Sequence, residues 1–240
     1  MTAPRRPARS RPDGIPALPE RPRFDFHSHT FLTDGTTAPT DMWVHADRLG
    51  HRVLAITDHV SLDDPAPLVR RLSAEARAFE EGPMIPLVGV EVSMVAPARI
   101  ASVARAARRA GAQIVIVHGE TPVEPVPAGT NHAAIDCRDV DLLAHPGLLD
   151  PRDAELARAH GTFLELSGRR GHSLANGHVA QVALAAGADL VVDSDAHAPD
   201  QLLGIEMARR IASGAGLALG SVQRALDAAP RRLAERCRSR

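Results

Sequence analysis

The stretch Phe24-Asp25-Phe26-His27-Ser28-His29 decides the reading of this chain. A short apolar run suited to a buried strand breaks directly into two histidines. In extended backbone, side chains at i and i+2 point to the same face, so His27 and His29 can grip one ion together. The same design recurs downstream. Val53–Thr57 runs into Asp58-His59, Ile85–Val92 carries Glu91, and Gln113–Val117 stops at His118. Leu142–Ala144 meets His145-Pro146-Gly147, and Leu190–Asp193 meets Ser194-Asp195-Ala196-His197. With Phe163–Leu166 the strands number seven, and six of them deliver an imidazole or a carboxylate at the C-terminal end.

Longer amphipathic stretches lie between the strands. Helices are predicted over Asp41–Leu49 behind a Thr40 N-cap, Ala66–Glu81, Ala98–Ala110, Pro151–Ala159, Gly177–Ala186 and Pro199–Ala212. Gly50, Gly82, Gly111, Gly161 and Gly187 fall near their ends, where a C′ glycine belongs. Strand and helix alternating over about 200 residues predict a single α/β domain, a (β/α)7 distorted TIM-like barrel slightly smaller than the eight-stranded form. An open doubly wound sheet would want an early phosphate loop. The Gly pair in Ser213-Gly214-Ala215-Gly216 comes late and after a helix, which rejects a dinucleotide-binding fold. Such barrels build their sites at the C-terminal face of the strands, where these histidines and acids collect.

Composition narrows the chemistry. The chain has 240 residues, a formal net charge of −1, 12 histidines and two cysteines, Cys137 and Cys237. All 28 basic residues are arginine, so no mechanism can use a lysine. Residues 1–23 and 224–240 each carry a net +4, which leaves −9 on the body between them. An acidic, histidine-rich body suits cations and does not make a nucleic-acid footprint, where a basic face dominates. Residues 1–22, rich in proline and arginine and without an apolar run, read as a solvated tail. The barrel is expected over 23–230, and 231–240 as a basic C-terminal tail, with Ala225–Arg240 a surface helix that frays at its end. Two cysteines are too few for a disulfide framework, and no segment is long enough to span a membrane, so a cytoplasmic protein is expected.

Each signal has a bland counterpart. An isolated H-x-H is two ordinary histidines more often than not, His145 alone suits a turn, and Asp58 suits an acid that orients an imidazole. Their common position at strand ends makes the joint case for metal. Imidazole nitrogen with carboxylate oxygen suits Zn, Mn or Fe(II). So many ligands exceed one tetrahedral ion and imply two to three, with Glu91 as the bridge. His45, His51 and His160 read as surface or capping residues, whereas His132, His172 and His178 lie on loops near the expected mouth.

These residues, in this order, resemble the PHP (polymerase and histidinol phosphatase) domain family. His27-Ser28-His29 matches its first motif, Thr57-Asp58-His59 the second, His118 and His145 later ones, and Asp195-Ala196-His197 the last. The likeness spans Phe24 to Ala212 and is greatest to compact stand-alone, histidinol-phosphatase-like hydrolases. It implies a (β/α)7 barrel with a trinuclear centre. His27, His29, Glu91 and Asp195 would hold the first ion; Glu91, His118 and His145 the second; His59 and His197, helped by Asp34, the third. Glu91, Asp195 and His197 are the implied catalytic residues. Ions sharing a site lower the pKa of a water and clamp a phosphoryl group, which implies hydrolysis of a small-molecule phosphate monoester. Arg169 and Arg170, just past the sixth strand, suit the phosphate oxygens, with His172 beside them. Either His197 or His172 suits protonation of the leaving alcohol.

Three rivals remain at this level. An amidohydrolase also opens with H-x-H on a barrel strand, but its usual dinuclear form needs a carbamylated lysine, and this chain has none. A phosphodiesterase acting on nucleotides or oligonucleotides would use the same centre, yet one Trp and five Phe provide few stacking platforms. A structural role would leave the ligand set without purpose.

Overall fold

The protein is described by a computed structural model over residues 22–79 and 82–239; the proline- and arginine-rich tail expected at 1–22 lies almost wholly outside them. Runs rich in valine, isoleucine and leucine form the strands β1 (Arg23–Asp25), β2 (His51–Ile56), β3 (His59–Val60), β4 (Ile85–Val92), β5 (Ile114–His118), β6 (Leu142–Ala144), β7 (Phe163–Ser167) and β8 (Leu190–Asp193). Every ladder is parallel, in the order β1-β2-β4-β5-β6-β7-β8, with β3 a two-residue continuation that pairs with β4. Helices α1 (Pro39–Arg48), α2 (Ala66–Ala76), α3 (Pro97–Ala110), α4 (Thr130–Asp136), α5 (Pro151–His160), α6 (Asn176–Ala186), α7 (Ile205–Gly214), α8 (Leu219–Gln223) and α9 (Ala229–Arg238) complete the chain. The result is an α/β TIM-like barrel, nearly closed, with helices interleaved between parallel strands.

The seam between β8 and β1 is where closure is decided. Two buried aspartates bond across its lower half: Asp193 Oδ1 accepts the Phe26 N–H at 2.8 Å, and Asp25 Oδ1 accepts the Ser194 N–H at 3.0 Å. Above them the backbones pair directly, Asp195 N–H to the His27 carbonyl at 3.0 Å and His29 N–H to the Ala196 carbonyl at 2.8 Å. Burial opposes charge on Asp25, but Arg23, 2.8 Å away, and His51 hold its carboxyl below the usual range. Burial, with Asp25 and Glu165 close by, pushes Asp193 well above it. The two acids of one seam are thus shifted in opposite directions.

The barrel interior is filled by Phe24, Phe26, Leu87, Ile114, Ile116, Phe163 and their neighbours, and α9 closes it from below with Leu233, Ala234 and Cys237. The helix expected over Ala225–Arg240 is present in α9, but the part expected as a basic tail is docked on the barrel. Residues 231–238 belong to α9, whose inner face is buried while its arginines lie over the rim, Arg231 5.4 Å from the Phe24 ring and Arg236 5.1 Å from that of Phe163.

Other boundaries move for local reasons. α1 starts at Pro39 with Ala38 as N-cap and no side-chain cap, because proline's fixed φ suits the first helical turn better than Thr40 suits the cap. β1 stops at Asp25, since beyond it the chain bonds to Asp193 and Asp58 side chains. α2 ends at Ala76 and tightens into a short turn through Phe79. The helix expected over Pro199–Ala212 splits into a turn at Pro199–Gln201 and α7. Among the described residues no helix is long and apolar enough to cross a membrane.

Candidate metal centre

The tops of the strands hold nine side chains in one place. His27 and His29 continue from β1, His59 opens β3, Glu91 sits on β4 and His118 ends β5; His145, Asp195 and His197 follow β6 and β8. Asp34 comes from the loop after His29. Their ligand atoms form four overlapping groups, each within 4.8 Å: His29-Asp34-His59-His197, His27-His29-Glu91, His27-His145-Asp195 and Glu91-His118-His145.

Glu91 joins them. Its Oε2 lies 3.3 Å from the Nε2 atoms of His27 and His29 and 3.1 Å from His59 Nδ1. Its Oε1 faces His118 Nδ1 at 3.3 Å and His145 Nε2 at 3.7 Å. Asp195 Oδ1 stands 3.6 Å from His27 Nε2 and 3.5 Å from His29 Nε2. Asp34 Oδ2 faces His197 Nε2 at 3.0 Å and His59 Nε2 at 3.4 Å.

The backbone is bent to make this possible. His145 and Asp195 both take positive φ, 27° and 51°, a region that costs about 1–3 kcal/mol for a non-glycine residue. Gly147, two residues past His145, also has positive φ, and a Cβ there would sit 1.9 Å from the Glu120 carbonyl. Only glycine lets the His145 turn pack against that loop.

Both oxygens of Glu91, His29 Nδ1, both nitrogens of His118 and His145 Nδ1 are buried without a hydrogen-bond partner. An unsatisfied buried polar atom costs about 1–3 kcal/mol, so a cluster of them fits groups built to bind something further. Charge points the same way. Burial works against charge on His27, but Asp195, Glu165 and Glu91 together raise it well above the ordinary value. Burial likewise opposes His59, yet Glu91 and Asp34 push it up to about 10. Burial would raise Glu91, and the His27 and His59 charges instead hold it well below the carboxylate range. Burial keeps His29 and, with His118, His145 neutral, the form in which imidazole ligates a metal. The donor set of imidazoles and shared carboxylates fits divalent cations.

The residues predicted for substrate divide. Arg169 stands at the cluster, donating to His197 Nδ1 and, at 3.3 Å, to the Asp195 carbonyl. Arg170 does not reach it: exposed, it lines a neighbouring cavity. His172 is buried against the cluster, 3.2 Å from Asp195 Oδ2, its ring 4.0 Å from that of His145. His132 pairs with Asp153 and His178 with the Leu149 carbonyl, both away from the centre. His45 and His160 bond to the Asp41 and Ile135 carbonyls. His51, expected as a surface or capping residue, is buried beside Asp25 and bonds the Ala46 carbonyl in the last turn of α1 at 3.1 Å. Asp58 orients no imidazole; its carboxylate accepts from Thr30 N–H at 2.7 Å, Thr30 Oγ1 at 2.6 Å and Thr33 Oγ1 at 2.7 Å, and so holds the loop that carries Asp34.

Three further residues were hidden in the sequence. Glu165, in mid-β7, accepts from His27 Nδ1 at 2.7 Å and leaves Nε2 facing the cluster. Ser93 Oγ does the same service for His59 Nδ1 at 2.6 Å. Glu124 faces His172 at 3.4 Å and His118 at 3.7 Å. Glu165 looks like an ordinary strand position; its period-2 placement on the inward face is the one available signal.

The PHP domain pattern matches residues 25–203. The chain belongs to the PHP domain family. An uncharacterised protein of Methanocaldococcus jannaschii is 38% identical over 216 residues, 89% of this chain and 99% of that relative. Among solved structures, a candidate histidinol phosphatase of Listeria monocytogenes superposes with a TM-score of 0.56 at 11% identity, over 75% of this chain and 97% of its own. An amidohydrolase reaches 0.62 at 12% identity, over 90% and 74%. At such identities these likenesses speak for the barrel alone. For a PHP domain, the His, Asp and Glu groups at this mouth are compatible with a site for several ions.

Proposed function

We propose that this PHP protein is a metal-dependent hydrolase of phosphate esters, with a small-molecule monoester as substrate. The observation that carries the reading is Glu91: a buried carboxylate, unpartnered at both oxygens, facing different histidines with each. His27, His29, Glu91 and Asp195 would hold one divalent ion, Glu91, His118 and His145 a second, and His59, His197 and Asp34 a third; Zn, Mn and Fe(II) suit these donors. When bound, such ions supply Lewis acidity at phosphoryl oxygens and an activated water.

The remaining work falls to this chain's own side chains. Glu165 holds His27 through Nδ1 and leaves Nε2 facing the cluster, and Ser93 holds His59 through Nδ1, the nitrogen that also faces Glu91. Arg169 brings a planar fork to the edge of the cluster, where it can bind two phosphate oxygens at once. His172, pushed above its ordinary value because Asp195 and Glu124 outweigh its burial, is placed to hand a proton to a departing alcohol. No cysteine or serine nucleophile is called for.

A diester reading has one observation in its favour. A second cavity of about 610 Å³, lined by Arg169, Arg170 and Asp195, gives room for a second arm. Hydrolysis of p-nitrophenyl phosphate and its bis-ester by protein supplied with Mn or Zn separates the two. Monoester turnover is expected; bis-ester turnover alone would replace the first reading with the second, and no turnover of either with full metal content would remove both.

A further inference from the structure

Two cavities adjoin the cluster and share no lining residue. The one beside Arg169 is bordered by guanidinium groups. The other, about 630 Å³, opens from the His59, His118, Asp34 and Glu124 side and is chemically its opposite. Its wall is apolar, built from Leu32, Val60, Pro67, Leu68 and Met94, and its rim carries Asp63 and Asp64. All 28 basic residues of the chain are arginine, and among the described residues no arginine lines this cavity.

Two features mark it as a built site and not a surface dent. Met94 takes a left-handed φ of 55° and is 58% exposed, a strained placement of a long apolar side chain that the wall of a pocket explains. His118, which forms the inner end of the cavity, is 3% exposed with both ring nitrogens unpartnered. A concave, mostly apolar space of this size with a few polar groups at one end is how small-molecule sites are made.

We infer that this cavity receives the alcohol portion of the phosphate ester, and that this portion is apolar and carries no anion. The inference rests on the phosphate-ester reading and adds the substrate class to it. With phosphate held between the cluster and Arg169, the ester's organic part extends along Leu68 and Met94. A second phosphate or a carboxylate at its far end would meet Asp63 and Asp64, with no arginine among the described lining residues to offset the repulsion. A cationic amine at that end would be attracted. Sugar bisphosphates and nucleic-acid strands are thereby disfavoured on this side of the centre.

Non-hydrolysable phosphonates test this by binding alone, measured calorimetrically on Mn-loaded full-length protein. Methylphosphonate reports the phosphate centre. Its 2-phenylethyl counterpart should bind about tenfold tighter or more, since the ring leaves water for an apolar wall. A 3-aminopropyl arm should bind tighter than a 2-carboxyethyl arm, and Asp63→Arg should reverse that order. Leu68→Asp should remove the gain from the phenyl ring. If methylphosphonate binds but all four probes bind equally, or if the carboxylate is preferred by the wild type, the cavity assignment is wrong and the phosphate-ester reading stands. If neither inorganic phosphate nor any phosphonate binds the metal-loaded protein, the phosphate-ester reading falls and the assignment with it.

Discussion

The two ends of the barrel are made on opposite principles. At the bottom, α9 lays Leu233, Ala234 and Cys237 against Phe24 and Phe163, an apolar plug whose stability is its purpose. At the top, the same strands end in histidines and acids, of which Glu91, His29, His118 and His145 hold buried atoms without hydrogen-bond partners, on backbone with positive φ at His145 and Asp195. Packing dominates at the bottom, whereas unpartnered polar atoms and positive-φ side chains collect at the top. Strain and unsatisfied groups collected at one face of a well-packed fold mark the face that binds.

That contrast can be broken by substitution, and the largest effect belongs to Glu91. Glu91→Ala should drop ester hydrolysis to background and remove at least one ion per chain, measured by elemental analysis. The metal-free variant should lose less stability than a core truncation, because the deleted carboxylate makes no hydrogen bond, although His27 and His59 lose a counter-charge. Leu233→Ala should do the reverse: a loss of about 2–5 kcal/mol in denaturant unfolding, as for a buried leucine truncated in a core, with metal content unchanged. If Glu91→Ala proves the more destabilised of the two metal-free proteins, the division between the ends is mistaken.

Chelation sharpens the same contrast. Ions that bind only the folded state stabilise it by mass action, about 2.7 kcal/mol at a hundredfold excess over Kd. Wild-type protein should therefore melt lower after dialysis against EDTA, and Glu91→Ala should respond less. Glu165→Leu should lower metal affinity by about 10–100-fold through the freed His27 ring, with Glu165→Gln recovering part of it; titration of the apoprotein with Mn gives both values. Arg169→Ala should weaken phosphate binding by about tenfold or more at full metal occupancy, whereas exposed Arg170→Ala should fall within error. The smallest change belongs to Arg232→Ala, which breaks an exposed pair with Asp189 and should move stability by less than about 1 kcal/mol.

The barrel and the cluster were largely legible because both rest on one pattern, an apolar run that breaks on an imidazole or a carboxylate. His27, Glu91, His118 and Asp195 announce themselves by ending strands. What escaped lacks that punctuation. α4 is seven residues of Thr130–Asp136 with little apolar content, and its entry is fixed by Glu120 accepting the Gly129 and Asn131 N–H groups at 3.0 Å, a contact between residues nine or more apart. α9 reads as the charged end of a surface helix because four arginines crowd its ten residues, and only docking shows that Ala229, Leu233, Ala234 and Cys237 face the core. Glu165, Ser93 and Glu124 act through a partner distant in sequence, and only Glu165 carries a local signal, its period-2 place on the inward face. Arg169 and Arg170 are neighbours in sequence, and the turn after β7 decides which one meets the cluster.

The most direct test of the account is the metal content of purified wild-type protein and Glu91→Ala, counted side by side after loading with Mn or Zn. Two to three ions per wild-type chain and at least one fewer in the variant is the predicted result. Equal metal content in the two proteins, or no metal in either, would contradict the claim that Glu91 joins the ion sites of this centre.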